Sequence, residues 1–298
     1  MPIRITRRDF AALAGGFLVS PKAIAQTDTP LITRAIPSSD ERIPAVGLGT
    51  AYVFDHDDET TRSKADAVVQ ALMRGGGRLI DTASTYGDAE SVLGKVTAAA
   101  GLRDKLFIAT KLESPDAQEL KRSLARLKTA RVDLLQLHNV RSKQQSLERF
   151  REWKGQGVCR YVGITSTSRR DYPAVEAVLK REKPDFVQID YSLDNRGAEK
   201  SILPLAAEVR AGVLTAVPYG NGRLFRLVHG KELPDWARVF ANSWGKFFLK
   251  YLLGDPRVTA VIPGTGDPSH MTDNAGAMRG PLPDPDQRRR MIEFVESL

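Results

Sequence analysis

Cysteine is almost absent: Cys159 is alone among 298 residues, so no disulfide can form within the chain. It follows Gly155-Gln156-Gly157 at the start of an apolar run and reads as a buried structural thiol rather than a reactive one. One cysteine and four histidines, scattered along the sequence, leave no cluster with zinc-ligand spacing, so no metal site is expected. No apolar run approaches the roughly 20 residues that span a bilayer. No G-x-G-x-x-G follows the first strand candidate, which argues against an open dinucleotide-binding sheet. Nor is there a basic stripe interleaved with aromatics, which argues against a nucleic-acid partner.

What is present suits a soluble globular protein: 42% hydrophobic and 27% charged residues, enough for a sizeable core. The first residues differ from the rest. Arg4, Arg7 and Arg8 precede the short apolar run Phe10–Val19, and small residues follow at Ala23-Ile24-Ala25. A basic start, a short apolar middle and an A-x-A site read as an export signal over residues 1–25, with Gln26 as the mature terminus. Thr6-Arg7-Arg8-Asp9-Phe10 resembles a bacterial twin-arginine signal. The expected partner is therefore the twin-arginine export machinery, and the expected location is the periplasm, reached in the folded state. A chain without disulfides is consistent with folding in a reducing cytoplasm first. The competing reading is an amphipathic N-terminal helix. Arg4, Arg7, Arg8 and Lys22 less Asp9 carry +3 of the formal +8, and the remaining +5 is scattered. The one like-charge run, Arg288-Arg289-Arg290, reads as the solvated face of a terminal helix.

After the signal, Leu31–Ile36 and Ile43–Thr50 predict strands around a Pro37-Ser38-Ser39-Asp40 turn. Then short β-rich runs alternate with stretches of helical periodicity. The strand candidates are Val46–Gly49, Arg78–Thr82, Leu106–Thr110, Val132–Leu137, Tyr161–Ile164, Phe186–Asp190, Val213–Val217 and Val258–Ile262. Helices are predicted over Thr60–Arg74, Ala89–Ala100, Ala117–Leu127, Leu147–Lys154, Tyr172–Lys180, Glu199–Arg210, Trp236–Leu252 and His270–Ala277. Eight strands alternating with eight helices predict an α/β fold, a closed (β/α)8 TIM barrel with an N-terminal β-hairpin. No long polar linker divides residues 26–298, which read as one barrel domain.

In such a barrel, chemistry sits where strands end, on the C-terminal face. Asp81 closes Arg78–Asp81, Lys111 closes Phe107–Lys111 and His138 closes Leu134–His138, while Tyr86 lies in the first of the connecting loops. Hydride attack on a carbonyl builds negative charge on oxygen, which must be stabilised and then protonated. A tyrosine hydroxyl can give that proton, and a neighbouring ammonium favours its phenolate. Tyr86 is therefore the expected proton donor, Lys111 its activator, Asp81 the anchor of Lys111, and His138 a hydrogen-bonding partner of the carbonyl oxygen.

These residues carry a resemblance. Leu79-Ile80-Asp81-Thr82-Ala83-Ser84-Thr85-Tyr86-Gly87, with Glu90 after it, Ala109-Thr110-Lys111, Leu137-His138 and Val261-Ile262-Pro263-Gly264-Thr265 resemble the aldo-keto reductase family, over about Ile43 to Ala277. The resemblance implies NAD(P)-dependent hydride transfer with the tetrad Asp81, Tyr86, Lys111 and His138, and a small carbonyl or alcohol as substrate. It implies that Thr165, Ser166 and Gln188 hold the nicotinamide, and that Pro218, Gly220, Gly222 and Arg223 belong to a pyrophosphate-side loop. Ala216 and Val217 stand where many members stack an aromatic ring on the nicotinamide, which leaves Tyr219 as the candidate. Gly264, Thr265 and His270 stand at the 2′-phosphate clamp, where two common basic positions are lost. Asp273 and Asn274 match the pair that contacts adenine. NADP is favoured slightly, with NAD possible and Arg223 a compensating cation.

Other residues read more plainly. His56, in Asp55-His56-Asp57-Asp58, is expected in a solvated loop near the mouth, and Trp236 and Trp244 are expected as packing residues. Tyr52, Phe54 and Phe225 either line an apolar pocket or cap the barrel. Two further functions remain open on sequence alone. One is a nucleotide-binding sensor barrel with little turnover; the other is a cofactor-free sugar isomerase or epimerase using Lys111 and His138.

Overall fold

The structure, a computed structural model, describes residues 29–298. The export signal read at residues 1–25 lies outside the described residues. Two short strands, β1 (Thr33–Ala35) and β2 (Arg42–Pro44), pair antiparallel with Thr33 opposite Pro44. Eight parallel strands follow: β3 (Leu48–Gly49), β4 (Leu79–Asp81), β5 (Phe107–Leu112), β6 (Val132–Leu137), β7 (Cys159–Ser166), β8 (Phe186–Asp190), β9 (Gly212–Ala216) and β10 (Val258–Val261). They neighbour one another in chain order. The ring closes where Val46 pairs with Val261 and Gly49 with Gly264, and Gly47 N–H donates to Val261 O at 2.9 Å. The (β/α)8 barrel and its hairpin are thus as expected.

Between the strands run α1 (Glu59–Arg74), α2 (Ala89–Ala99), α3 (Ala117–Arg126), α4 (Glu148–Gly155), α5 (Tyr172–Glu182), α6 (Ile202–Glu208), α7 (Arg223–Leu227), α8 (Trp244–Leu253) and α9 (Pro268–Gly276), with α10 (Pro285–Glu296) last. Asp58, Asp116, Ser243, Asp267 and Asp284 each accept a backbone N–H of the first turn, closing donors the helix itself leaves open. Ser243 explains one departure. The expected helix Trp236–Leu252 breaks into a 3₁₀ turn (Asp235–Ala237) and α8, because Ser243 caps Lys246 N at 3.1 Å and starts a new helix. Likewise Glu199–Arg210 becomes a 3₁₀ turn and α6, whose first turn holds Pro204; a proline is tolerated only there.

Strand alternation sorts the side chains. Residues facing outward, such as Ile80, Ile108, Leu135, Ile164 and Val187, join the helices in a large core. Inside the barrel, Leu79, Phe107, Leu134, Tyr161, Phe186 and Leu214 form a second apolar cluster that also takes in Ile36 and Ile43 of the hairpin segment. The rings of Phe107, Tyr161 and Phe186 lie 5.7–6.2 Å apart. Further along four of these strands the same face turns polar, two residues on at Asp81, Gln136 and Gln188 and four residues on at Lys111. The floor is dry and aromatic; the layer above it is ionic.

Cys159 is buried at the start of β7, and burial pushes its thiol up to about 12, as befits a structural residue. The arginine triplet does not form a uniformly solvated face. Arg288 turns inward to Tyr251 O (3.0 Å), Tyr191 Oη (2.9 Å) and Glu199 (3.0 Å), while Arg289 and Arg290 are exposed, Arg290 lying over Trp236 at 4.5 Å. The contacts of Arg288 with Tyr251 and of Phe294 with Trp244 pack α10 against α8.

Gly94 sets how closely α2 approaches α3, since a Cβ there would lie 2.1 Å from Arg126 O and 2.7 Å from the Leu127 carbonyl carbon. Alanine gains about 1 kcal/mol of helix propensity, yet forcing the helices apart costs more. Gly94→Ala is therefore expected to lower the thermal midpoint by several degrees, corresponding to a net loss of about 1–2 kcal/mol. An unchanged or raised midpoint in differential scanning calorimetry counts against this close approach.

Candidate active site

Four of the sequence-predicted residues meet at the C-terminal end of β4, β5 and β6. Parallel register sets Asp81 beside Ala109 and Lys111 beside Gln136, so that the inward faces of adjacent strands share one layer. Lys111 is 1% and Asp81 3% exposed. The Lys111 ammonium donates to Asp81 Oδ2 at 2.7 Å and to the Thr82 carbonyl at 2.7 Å. Burial alone would push this ammonium down; the attraction of Asp81 and then of Tyr86 outweighs it, and Lys111 ends above the ordinary lysine range. Beneath the pair, Gln188 donates to Asp81 Oδ2 at 3.2 Å and accepts from Gln136 at 3.0 Å.

Tyr86 closes the site from above. Lys111 Nζ lies 4.9 Å from its ring centroid, and the His138 ring meets it edge-on at 5.7 Å. Its loop is pinned at both flanks. Arg126 donates to Ser84 O at 3.1 Å, while the Ser84 hydroxyl donates to Glu119 at 2.6 Å. Arg126 is itself held by Glu90 at 2.8 Å, a carboxylate 1% exposed that also accepts from Thr110 and Ser123. Burial raises the Tyr86 phenol above its usual range, more than Lys111 lowers it. The expected activation by Lys111 is present but outweighed, so Tyr86 is a neutral phenol with a proton to give.

His138 is held neutral: burial first, then the Lys111 and Arg141 cations, push it down to about 3. Its Nδ1 meets the carboxyl of Glu113 and lies 3.4 Å from Thr85 Oγ1. Since the ring is neutral, the Glu113 contact is a hydrogen bond rather than an ion pair. Sequence reading missed Glu113, although it stands two residues beyond Lys111 on the same strand face.

The residues singled out for a nucleotide fall into three groups. Thr165 and Gln188 are register partners on β7 and β8; Thr165 Oγ1 accepts from Asn139 N at 3.0 Å, and the Ser166 hydroxyl reaches Asp171 at 3.3 Å. Pro218, Gly220 and Gly222 form the turn between β9 and α7, where Gly220 and Gly222 take φ of 59° and 79°. A Cβ on Gly220 would sit 2.7 Å from Asp194 and 3.0 Å from Arg223, whose guanidinium pairs with Asp194 at 2.9 Å. The third group is Gly264 at the closing bridge, Thr265 bonded to Asp267 N at 3.1 Å, exposed His270, and Asp273 and Asn274 on α9. Asp273 accepts from Ser243 at 2.6 Å and pairs with Lys246 at 3.2 Å, and the Tyr219 hydroxyl donates to Asn274.

Tyr219 is therefore no candidate for stacking on a nicotinamide. Its ring packs on Phe225 and Phe248, 4.7 and 6.4 Å away, toward Asn274. Phe54 is core, whereas Tyr52 is 91% exposed, and Trp236 and Trp244 pack among Phe240, Phe247, Phe248 and Phe294. His56 is exposed, its neighbour Asp57 holds Arg62 and Lys95, and among the described residues no cluster has a metal-binding arrangement.

The sequence model of the Aldo/keto reductase family matches residues 45–291. The chain is 29% identical over 253 residues to methylglyoxal reductase YeaE of Escherichia coli, covering 81% of this chain and 87% of that one. It is 32% identical over 257 residues to an aldo-keto reductase of Mycolicibacterium smegmatis, covering 80% and 84%. Among solved structures, an aldo/keto reductase from Klebsiella pneumoniae in complex with NADP and acetate matches with a TM-score of 0.72 at 25% identity, covering 86% and 93%.

Removing one partner of a buried ion pair leaves an uncompensated charge and costs about 3–5 kcal/mol. Asp81→Asn is expected to lose that much in urea denaturation, and the double variant Asp81→Asn/Lys111→Met to regain most of it. A single-variant loss below about 1 kcal/mol, the value typical of solvated pairs, would mean that water screens this pair.

Proposed function

The chain belongs to the aldo/keto reductase family, and on that premise we propose that it reduces a small aldehyde or ketone with NADPH, Tyr86 giving the proton. One observation carries the reading: the Lys111 ammonium lies on Asp81 and against the Tyr86 ring at once, with His138 across from it. Bound nucleotide supplies the hydride. Tyr86 donates O–H to the carbonyl oxygen, and Lys111 stabilises the phenolate left behind, held charged by Asp81. His138, neutral, directs a ring nitrogen at the same oxygen. A phenol raised above its ordinary range keeps its proton near neutral pH, so Tyr86 is present as the acid that reduction needs.

The chain's donor set suits a dinucleotide. Asp81 Oδ1 is buried without a partner, an acceptor that a ribose hydroxyl satisfies. Thr165 and Ser166 offer hydroxyls for a carboxamide, the Pro218–Gly222 turn and Arg223 suit a pyrophosphate, and Asn274 keeps an amide N–H for adenine. NADP is the first reading. NAD is the second, favoured by the clamp positions: Gly264, Thr265 and His270 include no arginine or lysine, and the Asp267 carboxylate caps the start of α9.

The reading extends to location: the chain is exported folded through the twin-arginine route, carrying its nucleotide. A nucleotide kept through export is recharged by oxidising a second substrate, in alternation with the first. Mass spectrometry of protein from the periplasm is expected to find Gln26 as the first residue and NADP bound. A chain retaining Arg7-Arg8 in the cytoplasmic fraction, without nucleotide, refutes this part.

Tryptophan fluorescence titration with NADPH and NADH is expected to saturate, more tightly with NADPH. Adding methylglyoxal or para-nitrobenzaldehyde is expected to oxidise the nucleotide, at a rate falling at least about 10²-fold in Tyr86→Phe. Saturable binding with turnover equal in Tyr86→Phe supports a sensor barrel instead, and no binding of either nucleotide leaves the isomerase reading.

A further inference from the structure

β5 and β6 stay in register to their ends. Leu112 pairs with Leu137, and His138 N–H donates to Leu112 O at 2.8 Å, so Glu113 and His138 leave the sheet side by side. Both continue the inward face of their strands, Glu113 after Lys111 and His138 after Gln136, because side chains alternate with a period of two. There the Glu113 carboxyl meets His138 Nδ1. The Glu113 side chain is 41% exposed and that of His138 10% exposed, so the pair sits at the border of solvent and site.

We propose that Glu113 is a positioning residue for the reduction: by holding or releasing a proton at Nδ1 it decides whether His138 presents an N–H or a bare lone pair to the substrate oxygen. The inference rests on the reductase reading above, in which His138 faces that oxygen.

The argument is a count of protons. A neutral imidazole carries one N–H. If Glu113 is a carboxylate, that hydrogen must sit on Nδ1 and donate to it, and Nε2 is left with a lone pair. A lone pair repels a carbonyl oxygen, whereas an N–H polarises it. Adding one proton to the pair permits two arrangements. Either Glu113 is an acid donating O–H to Nδ1, or an imidazolium faces a carboxylate; both put N–H at Nε2. The form competent to activate a carbonyl is therefore the protonated pair, wherever its proton resides.

The surroundings favour the first arrangement. Burial, Lys111 from β5 and Arg141 from the loop after β6 push His138 down to about 3. Glu113 is held above the ordinary carboxyl range by burial, aided by the Glu119 carboxylate of α3 and opposed by Arg141 and by Thr85 of the Tyr86 loop. Tyr86 and Thr85 complete the ring of groups around the imidazole. The proton thus stays on Glu113, and the imidazole is neutral with its hydrogen on Nε2. Raising the pH removes the proton from Glu113, moves the ring hydrogen to Nδ1 and switches Nε2 off.

Two measurements test this. The first is the pH dependence of kcat/KM for NADPH reduction of para-nitrobenzaldehyde. Wild type is expected to show an alkaline limb falling about tenfold per pH unit, and Glu113→Gln, which has no proton to lose, to lack it. The second needs no turnover: 15N NMR of histidine-labelled protein, with His138 assigned by its loss in His138→Asn. Wild-type His138 is expected to pass from Nε2–H to Nδ1–H as pH rises, and Glu113→Gln to keep one tautomer ratio throughout. A limb and a tautomer change that persist in Glu113→Gln, or a wild-type tautomer that never changes, overturn the proposal. NADPH titration of each variant separates the two readings: nucleotide bound without any aldehyde turnover counts against the reductase, while the NMR result still decides on Glu113.

Discussion

The buried contact between Lys111 and Asp81 constrains everything around it. An ammonium 1% exposed and a carboxylate 3% exposed are tolerable only together, because taking either out of water alone costs several kcal/mol. Their separation of 2.7 Å fixes β4 against β5, the extra bond from Lys111 to Thr82 O fixes where β4 ends, and the loop to Tyr86 starts from there. Gln188 takes Asp81 as acceptor and itself accepts from Gln136, so β6 and β8 are drawn into the same arrangement. A hydrophobic pair of equal volume would hold these strands as well. It would offer nothing to a developing oxyanion.

Such a layer survives because of what lies beneath it. Phe107, Tyr161 and Phe186, with Ile36 and Ile43 of the hairpin segment, block the N-terminal end of the barrel. The interior changes from apolar to polar within two residues on β4, β6 and β8 and within four on β5, about 7–13 Å. That short distance keeps the charge pair in a medium where electrostatic interactions are strong.

Most of this was legible because it depends on strand ends. A run of apolar residues closing on Asp81, Lys111 or His138 marks both the strand and its polar tip, and barrel topology gathers the tips. Legibility fails where a side chain's partner lies on another element. Glu113 looks like any loop acid until the β5–β6 register sets it against His138. Arg288 looks solvated until α10 packs against α8 and gives it Tyr191, Tyr251 and Glu199. Tyr219 seemed free to stack because its partners, Phe225, Phe248 and Asn274, are distributed over three helices. The direction of the Tyr86 shift was missed for a related reason: a neighbouring cation is visible in sequence, but the burial that outweighs it is not.

The loop after β9 shows the same balance of local cost against distant gain. Val217 takes φ of 54°, a left-handed conformation that a β-branched residue adopts rarely, at a cost of about 1–3 kcal/mol. Within the turn, Gly220 N–H donates to Val217 O at 2.9 Å, and the bend permits two longer-range contacts: the Tyr219 hydroxyl on Asn274 of α9, and Arg223 on Asp194 beyond β8. Together they bind the turn to elements on either side of it. The Arg223–Asp194 and Tyr219–Asn274 contacts therefore hold the bend at Val217 between α9 and the segment after β8.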